Sequence, residues 1–362
     1  MTSARRSALR IIVTGAGAPG IRGTIFALRS NPDHRLVHVI GTDMNPDSVG
    51  RHFVDEFVRL PAPEGADYLP ALVDVVRRSG AELVLPQTTR EVIALSRAVD
   101  DLASEGIVVA VTRAPYTERA DSKHVLLEQC WAEAIPAPRG SVAHTEQELC
   151  DAAASLGHPA VPVVAKLPHS NGMRGLRVIV EGSWDVARFI GEKPSGVEIS
   201  LTAFVEMLRR GGPWPELLVT EYLPGPEHTV DVFRGAGGSV SVARLRRTIR
   251  SGITFDAEVE PDSPLASLSA RLGDILSLQY AFGFQWKADG DGQPRILECN
   301  PRVQGTMVAS ALASVNVIWL AVREAVGDGP TARELAALRP EPIAFQRFWG
   351  GGAVRDGRFV EI

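Results

Sequence analysis

Lysine is nearly missing from this chain: of its 38 Lys and Arg residues only four, Lys123, Lys166, Lys193 and Lys287, are lysine. Where arginine is the default cation, a surviving lysine marks a place that needs a compact ammonium, which directs attention to Lys123 and Lys166. Cysteine is almost as scarce. Cys130, Cys150 and Cys299 are odd in number and lack metal-like spacing, so neither a disulfide framework nor a zinc knuckle is indicated, and a reducing cytoplasm is expected. A long apolar run is lacking too. Ala309 to Val322 is broken by Ser310, Ser314 and Asn316 and falls short of the ~20 residues of a membrane span. After Arg5, Arg6 and Arg10 only Ile11-Ile12-Val13 is apolar before glycines intervene, too little for a secretory leader. Finally, the net charge of −5 gives no global reason to bind a polyanion such as nucleic acid, so small-molecule chemistry is expected.

What remains is ordinary globular composition: 362 residues, 45% hydrophobic and 22% charged, enough for two or three domains with their own cores. Up to about residue 112 short Val- and Ile-rich runs (Ile11–Thr14, Leu36–Gly41, Leu83–Leu85, Ile107–Val111) alternate with helical spacings. Leu69, Leu72, Val73 and Val76 form one such stripe, and Val92, Leu95, Val99 and Leu102 another. This pattern predicts a doubly wound α/β domain. Beyond Pro115, Asp121 and Ser122 are N-cap candidates for a helix to about Ala134. The Val161–Lys166 run, whose early Pro suggests an edge strand or a strand start, and Leu176–Val180 predict a hairpin around the loop 167–175. Strands at Leu217–Tyr222, Thr229–Phe233 and Ser239–Arg246 are expected to be antiparallel, two of them joined by Gly235–Gly238, with a third region beginning near Leu223.

Three constellations carry chemistry. Phe284-Gln-Trp-Lys287 and Arg295-Ile-Leu-Glu-Cys-Asn300, joined by Asp289-Gly-Asp-Gly292, predict a second hairpin. Alternation puts Glu298 and Asn300 on one of its faces and Leu297 and Cys299 on the other; with Gln285 turned the same way, three oxygen donors suit a hard cation such as Mg²⁺. A solvated sheet face is the plainer alternative. Arg302, just past the strand end, can clamp a phosphoryl oxygen. Lys166 opens a loop in which Gly172 and Gly175 allow close approach of phosphates, although a plain surface loop has the same composition. Lys123 falls in the first turn of a helix, where the macrodipole disfavours a cation, so either an anion lies opposite or the side chain swings into water.

Together these strings resemble the ATP-grasp superfamily, in its carbamoyl-phosphate-synthase-like branch, over about residues 10–325. The strings are Asp-Ser-Lys123, the Lys166 strand and loop, Glu221-Tyr-Leu-Pro-Gly-Pro-Glu227, and Gln285 followed by Glu298-Cys-Asn-Pro-Arg302. The resemblance implies an α/β architecture with four parts. Residues 1–114 would form the doubly wound pre-ATP-grasp domain, 115–222 the small lid subdomain of a two-subdomain α+β ATP-grasp fold, 223–330 the subdomain carrying the metal site, and 331–362 a C-terminal extension. It further implies that Lys123, Lys166 and Gly172 meet ATP, that the backbone of Glu221 and Leu223 reads adenine, and that Glu227 meets the ribose. Gln285, Glu298 and Asn300 would hold two Mg²⁺, for which Mn²⁺ can substitute, and Arg302 the transferred phosphate. Relatives often show a turn like Arg250-Ser-Gly252 on the acceptor side, which implies a catalytic contact for Arg250.

The implied activity is an ADP-forming carboxylate–amine ligase in the cytoplasm, working through an acyl phosphate to an amide or peptide bond. Its partners would be a small carboxylate and a small amine, with no nucleic acid or membrane and with a homodimer left open. Two rivals stand beside it. Gly15-Ala-Gly-Ala-Pro-Gly20 with Asp43 formally fits a dinucleotide fingerprint, hence an NAD-dependent oxidoreductase; a non-catalytic nucleotide-binding protein is the other.

Overall fold

The computed structural model describes residues 7–170, 173–182, 186–191, 196–348, 350–355 and 358–361. Its N-terminal sheet follows from the apolar runs. Strands β1 (Leu9–Val13), β2 (Val37–Asp43), β3 (Glu56–Arg59) and β4 (Leu83–Leu85) lie in the order β3-β2-β1-β4, all parallel. Successive β1 side chains enter different cores, Ile11 and Val13 on one face and Ile12 on the other, which is why the strand reads as an unbroken hydrophobic run. Helix α1 (Ile21–Arg29) covers one face, and α2 (Tyr68–Ser79) and α3 (Thr89–Ser104) the other. A capping box between Thr88 and Glu91 opens α3.

The sequence reading of this sheet needs two corrections. Edge strand β3 carries Glu56 and Arg59 on a half-exposed ribbon, so it has no apolar signature. Ile107–Val111 is not a strand, since only Val109 bridges, to Val84.

The described chain divides into two compact units, one of residues 1–120, 228–285 and 299–362 and the other of 121–227 and 286–298. Helix α4 (Ala114–Asp121) ends at the first change of unit, and α5 (Lys123–Ala132) opens the second unit with Ser122 as N-cap. That unit's five-stranded sheet comprises β5 (Gly140–Ala143), β6 (Val163–Lys166), β7 (Leu176–Ile179), β8 (Glu198–Ile199) and β9 (Leu217–Glu221), in the order β5-β9-β6-β7-β8. The β6–β7 hairpin appears as expected, with Lys166 opposite Leu176. Pro162 precedes a strand flanked on both sides, so it marks a strand start rather than an edge.

Strand β9 belongs to this sheet, and the two strands that follow it belong to another. Those two, β10 (Glu227–Gly235) and β11 (Gly238–Arg250), join β12 (Ile253–Val259), β13 (Tyr280–Ala288), β14 (Pro294–Asn300) and β15 (Ala344–Gln346) in a six-stranded sheet, order β14-β13-β10-β11-β12-β15. Within β13 the chain changes unit after Gln285, and within β14 after Glu298.

In the first unit, the apolar stretch that was too short for a membrane span is split into two helices, Val308–Leu312 and Val317–Ala325. Ile318, Trp319 and Val322 share the core of β1 and α1, and the Asn316 amide donates to the Ala27 carbonyl at 2.7 Å. No helix among the described residues is long and apolar enough to cross a membrane. The segment after Pro330 adds β15 to the edge of the six-stranded sheet by pairing with β12. A last hairpin, β16 (Gly352–Arg355) with β17 (Arg358–Glu361), stacks Phe359 on His52 at 4.5 Å.

Candidate active site

Lys123 does not swing into water. As the first residue of α5 it is 8% exposed; its ammonium donates to the Ser170 carbonyl and lies 3.6 Å from the Glu298 carboxylate. Its own amide donates to the Pro168 carbonyl, so helix start and loop are tied together. Lys166, at the end of β6, is 5% exposed. Burial, and secondly the charge of Lys123, push its ammonium down to about 8 against the opposing pull of Glu298. Two buried ammonium groups thus lie in the field of one carboxylate, which is ion-paired to Lys123, an arrangement in which positive charge exceeds negative. Gly172 lies outside the described residues.

The segment expected to meet adenine follows β9. The Glu221 side chain is committed within its own unit, Oε1 accepting from the Arg139 amide and Oε2 from Arg139 Nε, both at 2.9 Å. Leu223 is buried and Glu227 half-buried. Gly225 donates its amide to the Ala288 carbonyl, and a Cβ on Gly225 would stand 2.6 Å from that of Ala288, so only glycine lets the segment lie this close to β13.

Among residues of the other unit, two amide side chains are each held by an arginine. Gln285 Oε1 accepts from Arg246 Nη1 at 3.3 Å, and Asn300 Oδ1 from Arg302 Nη2 at 3.0 Å. Arg246 is 7% exposed, and its remaining nitrogens reach Thr254 Oγ1 (2.8 Å) and the Gly252 carbonyl (2.7 Å). Arg302 also donates to Thr89 Oγ1 at 3.0 Å and to the Val303 carbonyl at 3.1 Å. An amide oxygen has two lone pairs, so an arginine partner does not prevent either from meeting a cation. Carboxylate and amide oxygens are hard donors of the kind that suit Mg²⁺. No cluster of three His, Cys, Asp or Glu residues fit for a metal occurs among the described residues.

The arginine-rich strand separates three roles. Arg244 is fully buried against Asp231, whose carboxylate also accepts from Ser310 and from Gln304, while Arg244 reaches Thr306 at 3.0 Å. Arg246 holds Gln285. Arg250 is exposed, its guanidinium 4.7 Å from the centre of the Phe255 ring. Register shifts beyond Arg246 break the strict alternation that would have kept all three on one face. Sequence reasoning had no signal for Thr89, and Arg246 was visible only as one of a run of arginines.

The glycine-rich turn after β1 is explained by packing. Asp43 Oδ2 accepts from the Gly17 amide at 2.6 Å, occupying a donor that a dinucleotide pyrophosphate would use. A Cβ on Gly20 would stand 2.6 Å from the Gly305 Cα, so this glycine serves close approach to the segment just past Arg302. Cys299 is buried, and burial pushes the Cys130 thiol up to about 12, so that thiol is unsuited to nucleophilic work.

Residues 213–341 match the family described as ATP-grasp in the biosynthetic pathway with Ter operon. No curated protein matches the chain in sequence. Among solved structures it is similar to the biotin carboxylase of Campylobacter jejuni in its β,γ-ATP complex, with 16% identity and TM-score 0.66 over 90% of this chain and 73% of that one. The biotin carboxylase domain of Hydrogenobacter thermophilus 2-oxoglutarate carboxylase, with MgADP, ADP and bicarbonate, gives 16% and 0.67 over 90% and 72%. An N5-carboxyaminoimidazole ribonucleotide synthetase bound to ADP gives 14% and 0.67 over 94% and 82%. The ATP-grasp resemblance read from the motifs is borne out, and the fold is the mixed α/β one expected.

Proposed function

Proceeding from an ATP-grasp fold, we propose that this chain is an ATP-dependent, ADP-forming ligase that activates a small carboxylate as an acyl phosphate and passes it to a small amine. The observation that carries the reading is the excess positive charge of Lys123 and Lys166 around Glu298, which a polyphosphate would neutralise. In this reading the two lysines, with Gly172, hold phosphates; backbone groups of Glu221 and Leu223 meet adenine, and Glu227 the ribose. Glu298 and Asn300, successive same-face positions of β14, would hold Mg²⁺ together with Gln285. Mg²⁺ would shield the phosphates and lower the charge barrier to attack by the carboxylate. Arg302 supplies a fixed positive charge to the phosphoryl group in transfer, and Arg250 works on the acceptor side.

A second reading keeps the chemistry and changes the acid. The similar structures include carboxylases, one of them solved with bicarbonate, so the activated acid would be bicarbonate and the product a carboxylated amine. One assay separates these readings: release of ADP and phosphate from MgATP with pooled amino acids and carboxylates, with and without bicarbonate. Release that needs an organic acid and an amine supports the ligase; release that needs only bicarbonate and an amine supports the carboxylase. AMP and pyrophosphate would reject both, and thermal stabilisation by NAD without any by MgATP would return the glycine-rich turn to an oxidoreductase role.

A further inference from the structure

We infer that Arg347 and Arg250 together form a subsite for a second anionic group on the substrate, a carboxylate or a phosphate ester other than the carboxylate that is activated. The inference deepens the ligase reading above and rests on it. Arg347 follows β15, in the segment after Pro330 that carries none of the strings described above. Its amide donates to the Phe255 carbonyl at 2.7 Å and continues the register in which Gln346 stands opposite Asp256, so Arg347 stands opposite Phe255. Cross-strand partners project to the same face of a sheet. Phe255 and Ala257 share a face by alternation, and Ala257 pairs with Arg246, the residue that holds Gln285. Arg347 therefore joins the face of the sheet that carries the Arg246–Gln285 pair. Its guanidinium reaches the Gly305 carbonyl, just past Arg302 in the chain, at 2.7 Å. Arg250 lies on the same Phe255, its guanidinium 4.7 Å from the centre of the ring.

Two features suit these arginines to an arriving anion rather than to the scaffold. The first is charge: among the described residues neither guanidinium has a carboxylate partner. Elsewhere in the same sheet Arg234 reaches Asp274, Arg244 reaches Asp231 and Arg247 reaches Glu258, so neutralised arginines surround the two that are not. Arg347 is half-buried, with a neutral carbonyl as its acceptor. Burial pulls its guanidinium below the ordinary arginine range with no charged neighbour to offset the shift, a cost that an anion would remove. The second feature is anchorage on both sides. Strand β15 fixes the chain before Arg347, and the hairpin after it is held by the Phe359–His52 stack and the Arg22–Glu361 ion pair. A guanidinium fixed in this way is pre-organised for a bidentate contact with a carboxylate or phosphate.

The test measures binding of three probes to the full chain by calorimetry: succinate and 3-phosphonopropionate, which carry a second anionic group, and butyrate, which does not. Titrations are run with saturating MgADP, which keeps the probes off the lysine cluster, and again without nucleotide. The wild-type chain should bind one of the doubly anionic probes on the order of 10-fold more tightly than butyrate. The tighter of the two assigns the group, the phosphonate standing for a phosphate ester and succinate for a carboxylate. Arg347→Gln should abolish that advantage while leaving MgADP affinity unchanged. Arg250→Gln, at an exposed position, should reduce the same advantage and provides the second route if Arg347→Gln folds poorly. Equal binding of all three probes by the wild-type chain, or an advantage that survives either substitution in a folded variant, would overturn the inference. Failure of the wild-type chain to bind MgADP would instead strike the ligase reading, and the titrations without nucleotide would still decide the role of Arg347.

Discussion

Around Asp231 one carboxylate faces one guanidinium, both without exposed surface, and Ser310, Gln304 and Thr306 supply further hydrogen bonds. Around Glu298 one buried ammonium group, Lys123, is ion-paired to the carboxylate, and a second, Lys166, feels both charges and has a depressed pKa. The first cluster is fully enclosed and balanced, whereas the second is partly open at Glu298 and holds two ammonium groups near one carboxylate. Charge that a protein leaves unbalanced favours a ligand of opposite sign, so the contrast is the one expected between a scaffold pair and the phosphate site we propose.

The sharpest way to break this comparison is to remove one member from each cluster. Asp231→Asn leaves Arg244 buried without its counter-charge and should cost about 3–5 kcal/mol of stability, read as a fall in the urea midpoint. Lys166→Met should do the reverse, holding or raising stability by roughly 1–4 kcal/mol while abolishing the MgATP-induced rise in melting temperature. If Lys166→Met instead destabilises the chain as Asp231→Asn does, the two clusters are alike and the lysine pair is scaffold.

Next in size is Glu298→Gln, which removes the charge between the lysines and a hard metal donor. Turnover should collapse while nucleotide still binds, whereas Cys299→Ser, on the opposite face of β14, should affect stability more than rate. Near-normal turnover of a folded Glu298→Gln variant at saturating Mg²⁺ would rule out its metal role.

The pH dependence sharpens the same contrast. The folded-state pKa of Lys166 lies near 8, below its unfolded value, so between the two the unfolded chain binds more protons. The destabilisation from this group is therefore complete below pH 8 and relieved as pH rises toward about 10. A bound polyphosphate would raise that pKa again, so MgATP binding at pH 8.5 should take up protons, measurable by calorimetry in buffers of different ionisation heat. Proton uptake that persists in Lys166→Met would assign it to another group.

The smallest effect is expected at Glu221→Gln. Its partner Arg139 is largely exposed, so the pair contributes at most about 1 kcal/mol, and the MgATP-induced thermal shift should barely change. A lost shift would move nucleotide recognition from the backbone to this side chain.

Much of the fold was legible because it rests on local periodicity. Unbroken runs such as Ile11–Val13, the helical stripe of α3, the Ser122 cap and the β6–β7 hairpin all carry their signal within a few residues. Edge strand β3 did not, because a half-exposed ribbon need not alternate. The register of β9 could not be read either, since its pairing with β5 and β6 is a long-range choice that its own apolar residues do not encode.

Local spacing dictates which residue types stand at the ends of which elements: Lys123 opening a helix, Lys166 ending a strand, and Glu298 and Asn300 on one strand face before Arg302. Spacing along a regular backbone dictates that much. Long-range packing alone buries Lys123 beside Glu298, neutralises Arg244 while leaving Arg250 exposed, and brings a threonine from the N-terminal region to Arg302. Burial and counter-charge come from segments distant in sequence, and local pattern holds no record of which segment will arrive.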